Sequence, residues 1–143
     1  MTGGLRKLNE DVYAAGQISP ADIPALSEAG IKSILNNRPN GEVFGQPSSE
    51  DMRIAAEAFG LQYAYVPMAG GALSEQLVKE AAEAFRALPK PILAHCAGGM
   101  RSAVLWAFSN AKTDGVDAVI AAAGAAGFAL EQFRPMLTRH AQS

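Results

Sequence analysis

Short, mainly apolar runs alternate along the chain with stretches whose apolar residues recur every three or four positions. Val12 to Ala15, Ile31 to Leu35, Leu61 to Val66 and Ile92 to Ala94 have the length and composition of buried strands. The stretches between them predict helices. Ser19-Pro20-Ala21-Asp22 opens the first, with serine as cap and proline in the first turn, and Gly30 closes it. The second opens at Ser48 or Ser49, carries Met52, Ala55, Ala56 and Phe59 on one face, and ends at Gly60. The third opens at Ser74, with Glu75 in its first turn and a stripe of Leu77, Ala81, Ala84, Phe85 and Leu88. Helical spacing resumes after Arg101 through Val104, Leu105 and Phe108, and two further helices are predicted from about Asp114 and about Ala129. The run Ala118 to Leu130 is predicted to be buried helix, too short to span a bilayer.

Strands that alternate with helices predict an α/β fold: a mainly parallel central sheet of four to five strands flanked by helices, in a single domain over residues 1–143. Ligands of such sheets bind beyond the carboxyl ends of the strands. Three segments leave those ends: Asn36 to Glu42, Pro67 to Gly71, and Cys96 to Ser102.

Composition narrows the function class. With 49% hydrophobic and 18% charged residues the chain is expected to be globular. A net charge of -2 without any Lys/Arg cluster argues against a nucleic-acid surface. The opening MTGGLRKLNEDV lacks the apolar core of a secretory signal, and a lone cysteine forms no internal disulfide. A cytoplasmic, reducing location with no membrane partner is the expectation. His95 and His140 are the two histidines, so no metal site is expected, and no organic cofactor is implied.

The single cysteine stands where a strand ends. Gly98 and Gly99 follow it and permit close backbone approach to a ligand. The helix near Arg101 adds its positive end, and the loop amides of Ala97, Gly98, Gly99 and Met100 are expected to form an anion nest. Arg101 supplies a fork for two oxygens of that anion, and Ser102 a hydrogen bond to the sulfur or a helix cap. The same field favours the thiolate of Cys96, so nucleophile and anion cradle coincide. Arg38 serves as a second anion contact, held by Glu42, or simply as part of a turn. His95 orients the loop through a hydrogen bond or is an interior histidine. The alanine-rich C-terminal helices pack on the core or form the face of a homodimer.

HCAGGMRS resembles the loop of the cysteine-dependent protein tyrosine and dual-specificity phosphatases. Taken together, GIKSILNNRPNGE, GLQYAYVPMAGG and PILAHCAGGMRSAVLWA resemble the beta-lactamase-hydrolase-like, phosphatase-like family, from about Leu8 to about Ala111. Its members are variously described as phosphatases and sulfur transferases. The resemblance implies a phosphatase-like fold with Cys96 as nucleophile and Arg101 as anion ligand.

Two features depart from the phosphatase pattern. Four residues, not five, separate Cys96 from Arg101, as in rhodanese-type sulfurtransferases. The loop Pro67 to Leu73 also lacks the aspartate that protonates a phosphatase's leaving group. Ala97 further stands where many family members carry an arginine. These departures put a sulfurtransferase first: Cys96 takes sulfur from a small anionic donor, thiosulfate or a persulfide, and passes it to a thiol acceptor. A phosphatase acting on a phosphorylated substrate through a Cys96 phosphoenzyme is the alternative, and a non-catalytic anion or redox sensor is a third.

Overall fold

The computed structural model describes residues 4–143. Residues 1–3, the start of the segment expected to lack a secretory core, lie outside the described residues. Five strands form one sheet in the order β1-β2-β5-β3-β4. β2 (Val12–Ala15), β3 (Ser33–Asn36), β4 (Gln62–Tyr65) and β5 (Ile92–His95) run parallel, and β1 (Arg6–Lys7) lies antiparallel at the edge. The sequence pattern missed β1, because its two residues are charged and exposed and carry no apolar signal.

Alternation along β5 builds two cores. Ile92 and Ala94 face a larger core, and Leu93 a smaller one on the other side. The smaller core takes Ile23 and Leu26 of α1 (Ile23–Glu28) and Met52 and Ala56 of α2 (Ser49–Ala58). The larger core takes α3 (Glu75–Ala87), α4 (Met100–Asp114), α5 (Val116–Ala125) and α6 (Arg134–Gln142). The serine hydroxyls of Ser48 and Ser74 cap α2 and α3, accepting from the amides of Asp51 and Leu77 at 3.1 Å.

The run Ala118 to Leu130 is not one helix. α5 stops at Ala125, Gly127 turns the chain at φ +97°, and the Phe128 amide reaches back to the Ala123 carbonyl at 2.8 Å. Nor is α5 buried all round: Val119, Ile120 and Ala123 face the core, while Ala118 and Ala121 are exposed. Among the described residues no helix is long and apolar enough to cross a membrane.

Register decides where function can sit. Asn36 pairs with His95 and with Tyr65, and Ala15 pairs with His95. All four parallel strands therefore end at one level, and the segments that leave them meet over the same edge of the sheet.

Candidate functional site

The segment from β5 to α4 turns on Gly99, whose φ of +99° is open to glycine and costly for other residues. That turn aims the Gly99 amide at the Cys96 sulfur, 3.1 Å away. The amides of Met100, Arg101 and Ser102 then open α4, where no intrahelical acceptor exists for them. The positive end of α4 thus lies at the sulfur. Cys96 itself is only 1% exposed, while Ala97, Gly98 and Met100 above it are exposed. The sulfur forms the floor of the loop. The turn after β2 braces this loop from the side. The Gln17 amide donates to the Ala97 carbonyl at 3.1 Å, and a side chain at Gly16 would collide with that same oxygen.

Arg101 is held open beside the sulfur by a carboxylate from a distant segment. Its Nη1 lies 2.8 Å from Glu42 Oε2, and its Nη2 lies 3.0 Å from Glu42 Oε1. Nη1 also donates to the Met68 carbonyl at 2.8 Å. Glu42 accepts in addition from Arg38 Nε at 2.9 Å. Hydrogen bonds from Arg101 and then Arg38 bring the Glu42 carboxyl down to about 2. In return, the Glu42 hydrogen bond raises the Arg101 guanidinium further above its already high value, with the neighbouring Cys96 adding in the same direction. Gln46 fixes the loop that carries Glu42, accepting from the Glu42 amide at 3.1 Å and donating to the Pro39 carbonyl at 2.8 Å.

Asn37 is the knot that ties the strand ends together. Its amide donates to the His95 carbonyl and its carbonyl accepts from Met68, at 2.8 and 2.9 Å. Its side chain donates to the Val66 carbonyl at 2.9 Å and accepts the Ser102 hydroxyl at 2.8 Å. Asn37 and Ser102 are both fully buried. Ser102 was expected to serve the sulfur or cap the helix. Its hydroxyl does neither here, because Asn37 takes it; the helix is capped by Gly99, which has no side chain to offer.

Arg38, expected as an anion contact or a turn residue, is buried, with Nε on Glu42 and Nη1 on Gln17 Oε1 at 3.2 Å. Its Nε reaches the site through Glu42. His95 is wholly buried, and among the described residues neither ring nitrogen has a hydrogen-bond partner at ordinary geometry, although the adjacent Cys96 backbone favours its charged form. Burial is the main reason its imidazole falls to about 4.

The structure places Cys96, Gly99, Met100 and Arg101 in the turn from β5 into α4. Sequence reasoning missed the bridging role of Glu42 toward Arg101, the four bonds of Asn37 and the support from Gln17. The pair Asn36-Asn37 before an Arg-Pro turn was the available signal for the second of these. Loop Pro67 to Leu73 carries no carboxylate, and the first one after it, Glu75, is exposed at the start of α3. Among the described residues no group of three or more His, Cys, Asp and Glu side chains is arranged to hold a metal.

Residues 4–113 match the family described as beta-lactamase hydrolase-like protein, phosphatase-like domain. The Beta-lactamase hydrolase-like protein of Agrobacterium fabrum is 37% identical over 105 residues, 73% of this chain and 24% of that protein. The chain thus spans about a quarter of the length of that relative. A candidate phosphatase from Neisseria meningitidis has the same fold at a TM-score of 0.84 and 31% identity, covering 96% of this chain and 98% of that one. Tk-PTP in its active form matches at a TM-score of 0.72 and 14% identity, covering 99% and 98%. The expected α/β fold is that of the tyrosine and dual-specificity phosphatases. With the match extending over most of its length, the chain belongs to the beta-lactamase hydrolase-like, phosphatase-like domain family.

Proposed function

We propose that this chain is a cysteine-dependent phosphatase for monoesters with good leaving groups. One observation carries the reading: the Gly99 amide meets the Cys96 sulfur in the same loop that presents Arg101, squared up by Glu42. The Cys96 thiolate attacks phosphorus, the bond to the ester oxygen breaks, and the leaving oxygen takes a proton from solvent. Water then attacks the phosphorus of the thiophosphate, and the bond to sulfur breaks. Inorganic phosphate departs and the thiolate returns. Arg101 and the amides opening α4 neutralise charge on the equatorial oxygens. No oxidant, reductant or cofactor enters the balance.

The leaving-group preference follows from what the mouth lacks. Glu42 is the one carboxylate bonded to Arg101, and at about 2 it is ionised at neutral pH. It orients the guanidinium and has no proton to give. Without a general acid, about 10²–10⁴-fold is forgone on poor leaving groups. Aryl phosphates suffer least.

Sulfur transfer, placed first by the loop spacing, now stands second. The four-residue interval between Cys96 and Arg101 and the acid-free loop favour it, since thiosulfate releases sulfite without a proton. The relatives' names support phosphatase chemistry instead. Side-by-side assays separate the two: phosphate release from p-nitrophenyl phosphate against thiocyanate formation from thiosulfate and cyanide. Faster phosphate release, lost in Cys96→Ser, is expected. Faster thiocyanate formation reverses the order.

A further inference from the structure

We propose that Phe128 is a positioning residue for the Cys96 loop, so that the segment beyond the family match completes the site. The family match ends at residue 113, and Phe128 follows α5 in the remaining C-terminal segment. Its ring lies directly against Gly99. A Cβ placed on Gly99 would stand 2.8 Å from the ring's Cζ and 3.0 Å from its Cε1, with the Ala15 carbonyl carbon 3.5 Å away as the next neighbour. Gly99 is thus clasped between the end of β2 and an aromatic edge, and its amide is the one that meets the sulfur.

The clasp matters because glycine alone does not hold a conformation. At φ +99° nothing intrinsic to Gly99 prevents its peptide from rotating and taking the N–H off Cys96. The ring removes the room for that rotation. The ring is itself fixed from behind. The Arg6 guanidinium lies 5.9 Å from its centroid and donates from Nη1 to the Ala126 carbonyl at 3.1 Å. The Phe128 amide is tied to the Ala123 carbonyl. A line of contacts therefore runs from the edge strand β1 through Arg6 and Phe128 to Gly99 and the sulfur. Phe128 touches no reacting atom and acts through the Gly99 amide. The inference rests on the reading that this amide serves the sulfur during turnover.

Cys96 is the only cysteine in the chain, so alkylation by iodoacetamide reports the loop without any substrate. Its rate would be followed against pH for wild type, Phe128→Ala, Phe128→Leu and Arg6→Ala, beside kcat and KM for p-nitrophenyl phosphate. Loss of the amide bond in Phe128→Ala should slow alkylation about tenfold at a given pH near neutrality. It should also lower kcat about tenfold with little change in KM. Phe128→Leu, which restores the wall, should recover most of both, and Arg6→Ala should fall between. A folded Phe128→Ala protein with the wild-type alkylation profile overturns the inference. If that variant does not fold, Arg6→Ala decides, and an unchanged profile there overturns it equally. Slowed alkylation in a chain that releases no phosphate in any form supports the positioning role and overturns the phosphatase reading instead.

Discussion

Glu42 grips both terminal nitrogens of Arg101, at 2.8 and 3.0 Å, across 59 positions of sequence. A free arginine at the mouth of a loop would sample many rotamers and lose entropy on binding an anion. Here that ordering is complete before the substrate arrives. The carboxylate is in turn anchored by Arg38, and its loop by Gln46, so the guanidinium inherits the rigidity of the β3–α2 connection.

Glu42→Gln should lower kcat/KM on aryl phosphates by about 10²-fold, the scale of a misplaced catalytic group. Steady-state kinetics check it. Glu42→Gln retaining wild-type kcat/KM would mean that Arg101 needs no such partner.

Acid stability should carry the signature of the same pair. The folded Glu42 carboxyl titrates at about 2, below its ordinary value of 4.5. Its contribution is therefore fully present above about pH 4.5 and is lost as pH falls toward 2. Wild type should be more stable than Glu42→Gln at neutral pH, and the gap should close across that window. Denaturant midpoints at several pH values measure it.

His95 predicts a second window. Its folded imidazole titrates at about 4, chiefly because of burial, against an ordinary 6.5. Unfolding therefore gains a proton, and stability falls as pH drops from about 6.5 to 4. His95→Gln should flatten that fall while leaving the activity profile between about pH 7 and 8 unchanged. An activity limb that disappears in His95→Gln would make His95 a participant in the chemistry.

Neighbouring glycines should behave oppositely. A side chain at Gly98 meets nothing within 4 Å, and Gly98 is not at positive φ. At Gly99 it meets Phe128 and a left-handed backbone. Gly98→Ala should unfold within about 0.5 kcal/mol of wild type. Gly99→Ala should lose at least about 1 kcal/mol and most activity. Thermal unfolding of the two variants is the check.

Asn37→Ala should cost about 1–3 kcal/mol for the buried Ser102 hydroxyl it strands, and less for the half-buried Val66 carbonyl. Denaturant unfolding of the variant, compared with Ser102→Ala, measures it. Equal stability to wild type would mean that other groups satisfy these atoms.

Local chemistry explains which parts of this molecule were legible in its sequence. The four parallel strands, the serine caps at Ser48 and Ser74 and the Cys96 loop follow from short-range patterns, and each appears where those patterns put it within a few residues. β1 was invisible because it is two charged residues recruited by a turn. The end of α5 was misplaced because alanines continue past it, and only Gly127 marks the stop. Glu42, Asn37 and Phe128 were missed as partners for another reason. Each acts on a residue far away in sequence: the order of strands in the sheet brings Glu42 and Asn37 to α4, and the return of α5 along α4 brings Phe128 to Gly99.

During turnover Cys96 should carry a phosphoryl group. Rapid acid quenching after mixing with an aryl phosphate, followed by peptide mass spectrometry, tests it most directly. One phosphoryl group is expected on the peptide containing Cys96, absent in Cys96→Ser and discharged as inorganic phosphate in a chase. An unmodified cysteine under phosphate, together with one added sulfur atom after a thiosulfate pulse, would contradict it.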